Sequence, residues 1–272
     1  MTERYARLTD RQWDEVKGFL PVERKRKHPL RAVFDAIRWL CRTGAQWRNL
    51  DSQFPPWKSV HYYFNKWSRN ATLETINDAL NRQERQVVFA RADSPSLLLV
   101  DSQSVRLLPR IKQDRGIDGG KFVNGRKRSI LTDTLGRVWR VAVHAANVHD
   151  GVAGEEELIY PDFGAQMPRG QMPRAQMPRA QKLLADSAYD KHFRGALAQL
   201  DQQVSLECSQ RDPALRGFVV QPRRWVVERT FAWWNYYRRI VRDYERTVEN
   251  SAGFVFMANI QMVLSSLAAK SP

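Results

Sequence analysis

Three acidic residues in this 272-residue chain sit where a carboxylate is hard to explain as ordinary surface. Asp101 follows the apolar run Leu97-Leu98-Leu99-Val100, and Asp186 follows Leu183-Leu184-Ala185. Glu228 stands between Val227 and Arg229 in the aromatic stretch "RRWVVERTFAWW". Each has a bland explanation alone: an aspartate after a strand suits a turn or cap, and Glu228 suits an i−4 pair with Arg224. Together they describe different chemistry. Two aspartates at the C-terminal ends of neighbouring parallel strands repel one another unless a cation lies between them. Carboxylate oxygens suit a hard divalent ion such as Mg2+. A glutamate from the following helix completes the set, so Asp101, Asp186 and Glu228 are expected to be both metal ligands and catalytic residues. Two Mg2+ ions about 3.5–4 Å apart activate a water or hydroxyl and stabilise the leaving 3′ oxygen of an in-line phosphoryl displacement. Mn2+ is the expected substitute.

Cations surround the expected site. Arg224, Arg229 and Arg239 flank Glu228 along its helix, and Arg126, Lys127 and Arg128 form a second cluster. Both groups are expected to meet DNA phosphates near the scissile bond. Lys plus Arg total 44 against 29 Asp plus Glu, a net charge of +15, and a chain this basic most often binds nucleic acid. Other chemistries lack their parts. Neither a Cys nor a Ser nucleophile stands out with a base partner. The two cysteines, Cys41 and Cys208, are far apart and without zinc spacing. "GIDGG" lacks the Lys-Ser/Thr of a phosphate-binding loop.

The elements that must position these residues fall into two regions. Residues 1–90 read as a small all-helical, helix-turn-helix-like DNA-binding domain, a pattern that an ordinary helical bundle shares. "LTDRQWDEVKGFLP" has Thr9 as an N-cap, Trp13, Val16 and Leu20 on one face and Pro21 as a stop. A second helix spans about Leu30 to Arg42. In "WKSVHYYFNKW", Val60, Phe64 and Trp67 face inward while Lys58, His61, Tyr62, Asn65 and Lys66 face out, as a groove-reading helix requires.

The pattern changes at Ser94-Pro95. "SLLLVDSQSV" is a buried strand, "KRSILTDTLGRVWRVAVHA" a hairpin turning near Asp133 to Arg137, and "KLLAD" and "QVSLEC" are further strands separated by helices. A long helix opened by Pro222 follows. The order β-β-β-α-β-α-β-α over residues 91–272 predicts an α/β, ribonuclease H-like catalytic domain with a mixed five-stranded sheet. Between residues 166 and 181 runs "QMPRGQMPRAQMPRAQ", whose prolines forbid a regular helix or strand and predict an exposed loop. The charged start "MTERYARLTD" has no signal-peptide core, and no apolar run reads as a membrane span. The expectation is a cytoplasmic, nucleoid-associated protein with no membrane partner.

The blocks "LLLVDSQSV", "DGGKFVNGRKRSILTDTLG", "VAVHAANVHD", "LLADSAYD" and "RRWVVERTFAWWNYYRRIVRDYE" resemble those of bacterial insertion-sequence transposases of the DDE class, in insertion-sequence family five. The leader "GAQWRNLDSQFPPWKSVHYYFNKW" is similar as well. The resemblance spans about Leu8 to Glu245. It implies that Asp101, Asp186 and Glu228 are the DDE triad. It also implies strand transfer of a mobile element with Mg2+, acting on the double-stranded DNA of terminal inverted repeats and target as a homodimer or higher oligomer. Three positions depart from the wider pattern: Gln221 stands for a tyrosine, Asn235 for a lysine and Ser129 for a histidine. A non-catalytic DNA-binding relic and a hydrolytic nuclease on the same fold remain compatible with the residues.

Overall fold

The computed structural model describes residues 5–159, 179–199, 204–209 and 225–270. The chain opens with four helices. Helix α1, Asp10–Lys17, starts at Thr9, whose hydroxyl accepts the Gln12 amide while the Gln12 side chain returns to the Thr9 amide. That reciprocal capping box satisfies two otherwise orphaned donors. Helix α2, Leu30–Thr43, ends at Gly44 in the left-handed region with φ 72°. A side chain there would be strained and would also place its Cβ 2.9 Å from Arg238 Cβ. Helices α3, Trp57–Arg69, and α4, Thr72–Val87, follow, with Val60, Phe64 and Trp67 of α3 buried.

Six strands form one mixed sheet among the described residues: β1 Leu97–Arg106, β2 Gly116–Asp118, β3 Val123–Asp133, β4 Val138–Ala145, β5 Lys182–Asp186 and β6 Ser205–Ser209. β3 runs antiparallel to β1 and β4, whereas β5 is parallel to β1 and β6 is parallel to β5. The order β4-β3-β1-β5-β6 is the ribonuclease H-like arrangement. The five expected strands are present. The sixth, β2, is a short hairpin arm paired with the start of β3, too brief to read as a strand from alternation.

Each strand alternates between two cores. Leu99, Ile130 and Leu184 pack on one face with Val226, Val227 and the helical leader. Leu98, Val100, Leu131, Leu183 and Ala185 pack on the other with Tyr189, Phe193 and Leu197. That second face is covered by α5, Asp150–Gly154, its wider-wound continuation Glu155–Ile159, and α6, Asp190–Gln199. The repeat expected as a loop at 166–181 lies outside the described residues except for Arg179, Ala180 and Gln181.

The long helix expected after Pro222 is three separate pieces. Helix α7 is described from Trp225 to Trp234, α8 is the single turn Arg238–Val241 with an extended Tyr237 as its cap, and α9 is Val248–Ala269. Helix α9 corrects a second expectation, because by length and composition it could cross a membrane. Here it is the central core helix: Gly253 to Gln261 are all buried, and it packs on α2, α3, α4 and β4. Its apolar character on every side follows from being surrounded. Residues 1–90 therefore share one hydrophobic core with the C-terminal helix.

Candidate active site

Register brings two of the three carboxylates together. β1 and β5 pair as Leu97–Lys182, Leu98–Leu183 and Leu99–Leu184. Asp101 and Asp186 each lie two residues past the last of these pairs, so they stand level on neighbouring strands. The period of two also puts both on the face of Leu99 and Leu184, which α7 covers with Val226 and Val227. Asp101 does not end its strand, as the apolar run suggested. β1 continues to Arg106 along β3, while β5 stops at Asp186, so the sheet is cut away beside Asp101. Both side chains are half-buried. Asp101 Oδ1 accepts the Ser102 amide at 2.7 Å, and Asp186 Oδ1 accepts the Ser187 hydroxyl at 2.9 Å.

Glu228 lies on the helix over this face but at its exposed margin, between buried Val227 and half-buried Arg229. Among the described residues no three His, Cys, Asp or Glu side chains stand close enough to hold one ion. The fold thus sets the two aspartates level and carries Glu228 on the helix that packs against their face. Carboxylate oxygens such as these fit Mg2+ and suit no soft metal.

The expected phosphate contacts need correction. Arg126 and Arg128 are 0% and 1% exposed. Arg126 donates to the carbonyls of Gln113, Glu245 and Arg246 and pairs with Asp243, while Arg128 donates to the Ile240 carbonyl at the end of α8. Burial lowers the Arg128 pKa despite Asp243 and Glu245. Lys127 points to the opposite face, where its Nζ lies 2.9 Å from Asp150 Oδ1 and donates to the Val148 carbonyl. Arg239 is buried against Glu245, 2.7 Å away, and donates to the Ala45 carbonyl. Burial raises the Glu245 pKa, with Arg239 opposing it. Arg229 lies between the rings of Trp225 and Trp233, 4.6 and 4.5 Å from their centroids, and donates to the Leu135 carbonyl. Arg126, Lys127, Arg128 and Arg239 are buried structural cations, whereas Arg229 keeps part of its surface open to solvent. Arg224 lies outside the described residues.

On α3, Lys58, Tyr62 and Lys66 are exposed and Asn65 is half-exposed. His61 is drawn inward instead. Its ring meets Trp47 edge-on at 4.8 Å, and desolvation with nearby Arg239 lowers its pKa. Two basic surfaces escaped the sequence reading. Arg24, Lys25 and Arg26 join Tyr62 and Lys66 around one cavity, and Arg106, Lys112 and Arg242 surround Phe122 in another. The only sequence signal for the first was the run "RKRK" after Glu23. The second draws on segments more than a hundred residues apart.

Sheet order and paired aspartates define a ribonuclease H-like phosphoryl-transfer domain. The chain belongs to the DDE transposases: the family model described as "Transposase DDE domain" matches residues 92–262. A model for transposases of the IS4/5 family matches residues 8–77. A protein of Sinorhizobium fredii (strain NBRC 101917 / NGR234) named "Uncharacterized protein y4sN" is 28% identical over 119 residues, 42% of this chain and 88% of that protein. No solved structure matches the chain. The protein is a DNA transposase, an enzyme of DNA cleavage and strand transfer in a family that uses divalent metal ions.

Proposed function

We propose that Asp101, Asp186 and Glu228 are the carboxylates that run this transposase's chemistry. The observation that carries the reading is the level placement of Asp101 and Asp186 on adjacent parallel strands, on the face α7 covers. Asp101 and Asp186 would hold the ions between them, and Glu228 would close the site from the helix. Bound there, two Mg2+ ions, or Mn2+ in their place, would activate the attacking hydroxyl and neutralise the leaving oxygen. The chain's own part is to fix the oxygens. The Ser102 amide and Ser187 hydroxyl each hold one carboxylate oxygen.

The division of labour follows from exposure. Lys58, Tyr62, Asn65 and Lys66 on α3 present polar and cationic groups to solvent, which suits recognition of double-stranded DNA at the element's terminal inverted repeats. Residues 1–90 are thus proposed to choose the DNA and residues 91–272 to cut it, in the cytoplasm at the nucleoid, as a homodimer or higher oligomer that holds two ends together. The test is an in vitro reaction with a plasmid carrying the DNA that flanks the gene on both sides. Products in which an element 3′ end is joined to target DNA, formed with Mg2+ and absent with chelator, support the reading. Cleavage without joining would make the protein a hydrolytic nuclease. Binding with neither would make it a non-catalytic relic.

A further inference from the structure

The chain between the end of β1 and the start of β3 builds a groove of about 610 Å³ whose lining contains no carboxylate. Arg106, Lys112 and Arg242 line it, and Phe122 forms its rim. Phe122 is 85% exposed, more than any other large apolar side chain among the described residues. Its backbone lies in the left-handed region with φ 52°, where a bulky side chain is disfavoured. An exposed, strained phenylalanine is costly on both counts, and the surrounding residues hold it in place. Asp118 is buried, and its Oδ1 accepts the amides of Gly120 at 2.9 Å and Lys121 at 3.1 Å. Its Oδ2 accepts the Ser104 hydroxyl of β1, which ties the hairpin tip to the central strand. Behind the tip, β2 pairs with β3 through Gly116–Gly125 and Asp118–Val123.

We infer that this tip is a DNA wedge: Phe122 enters a base step of the duplex while Arg106, Lys112 and Arg242 hold the adjacent phosphates. The surroundings select the ligand. A protein-docking phenylalanine would sit among mainly apolar neighbours, but Phe122 follows Gly119, Gly120 and Lys121. It shares its groove with four cations, Arg106, Lys112, Arg115 and Arg242, against two apolar residues, Leu107 and Pro109. A polyanion with a stacked apolar interior meets both demands, and duplex DNA is one. The wedge also has a definite place. Arg106 is five residues past Asp101 on β1, about 17 Å at the rise of a strand. For DNA laid along the strand, the phosphate contact of Arg106 would fall roughly five nucleotides from the cut phosphate. Only this distance rests on the proposed catalytic role of Asp101.

The test uses the full chain in chelator, so that no cleavage occurs and the outcome is independent of the carboxylate triad. Random-sequence duplexes carry 2-aminopurine at one step, either fully paired or beside a mismatch. Wild type is expected to raise the fluorescence and to bind the mismatched duplex about tenfold more tightly, because part of the unstacking has already been done. Phe122→Ala should lose the rise and bring that ratio to about one, while Phe122→Trp keeps both. Because the side chain is exposed, both variants should melt like wild type. Arg106→Ala with Lys112→Ala should weaken binding to both duplexes and make the salt dependence shallower by about two counterions. No fluorescence rise with wild type, its persistence in Phe122→Ala, or an unchanged salt slope in the double variant would each overturn the wedge. Failure of the triad reading would instead appear as cleavage by carboxylate variants in Mg2+.

Discussion

Glu84 of α4 and Arg137 at the foot of β4 form a two-bond ion pair: Arg137 Nε donates to Oε2 at 2.7 Å and Nη2 to Oε1 at 2.6 Å. Glu84 is fully buried. Arg85 with Asp133 and Arg140 with Asp78 pair beside it, so three buried pairs join one leader helix to the sheet. Between them Asn77 and Asn81 donate to the Val138 carbonyl and accept from Asn259 of α9.

The leader is therefore expected to be inseparable from the fold. Glu84→Ala leaves a guanidinium buried without its partner, which costs about 3–5 kcal/mol. Residues 91–272 alone would expose the apolar face of α9 and should show no cooperative transition in urea. A well-folded fragment with a sharp transition would contradict this.

Arg126 and Arg128 should behave as core residues. Arg128→Ala is expected to lower stability by about 2 kcal/mol, since it strands the buried Ile240 carbonyl and leaves a cavity. The slope of log affinity for DNA against log salt should stay that of wild type. A shallower slope in a protein that melts normally would return these residues to the DNA surface.

How the sequence was legible depends on distance along the chain. Thr9 and Gln12 announce the start of α1 because both halves of the capping box lie within three residues. Strand identities were equally local: Leu98 and Leu99 serve two cores, and an unbroken apolar run says so. The level placement of Asp101 and Asp186 followed from strand order alone. By contrast, Arg126 and Arg128 look like a surface patch because their partners Asp243 and Ile240 are 117 and 112 residues away. The break at Tyr237 and the burial of Arg239 are tertiary effects with no local marker.

Acid should loosen the protein through two imidazoles. Desolvation lowers the pKa of both His61 and His144. The unfolded chain, with ordinary imidazoles, then binds more protons as pH falls through the histidine range, so stability is lost on acidification. The melting temperature should fall between about pH 8 and about pH 5.5, where free histidine titrates. A His61→Phe, His144→Gln double variant should show a smaller fall. An equal fall in the variant would assign it to other groups.

Gly125 is expected to tolerate no side chain. A Cβ there would lie 2.0 Å from the Val105 carbonyl oxygen and 2.7 Å from the Leu107 amide, both backbone atoms of the paired strand region. Gly125→Ala should cost at least about 2 kcal/mol by forcing β1 and β3 apart. Normal denaturant unfolding of that variant would show that the strands yield easily.

The central claim is that three carboxylates run the chemistry, and nicking of a duplex carrying the element's flanking DNA tests it most directly. Asp101→Ala, Asp186→Ala and Glu228→Ala are each measured with Mg2+ beside wild type, with melting temperature and DNA affinity recorded for every protein. The expected result is loss of cleavage by at least about three orders of magnitude in each variant, with folding intact and DNA still bound. A folded triple variant that still cuts would contradict the account, and wild-type cleavage by Glu228→Ala alone would remove the helix carboxylate from the site.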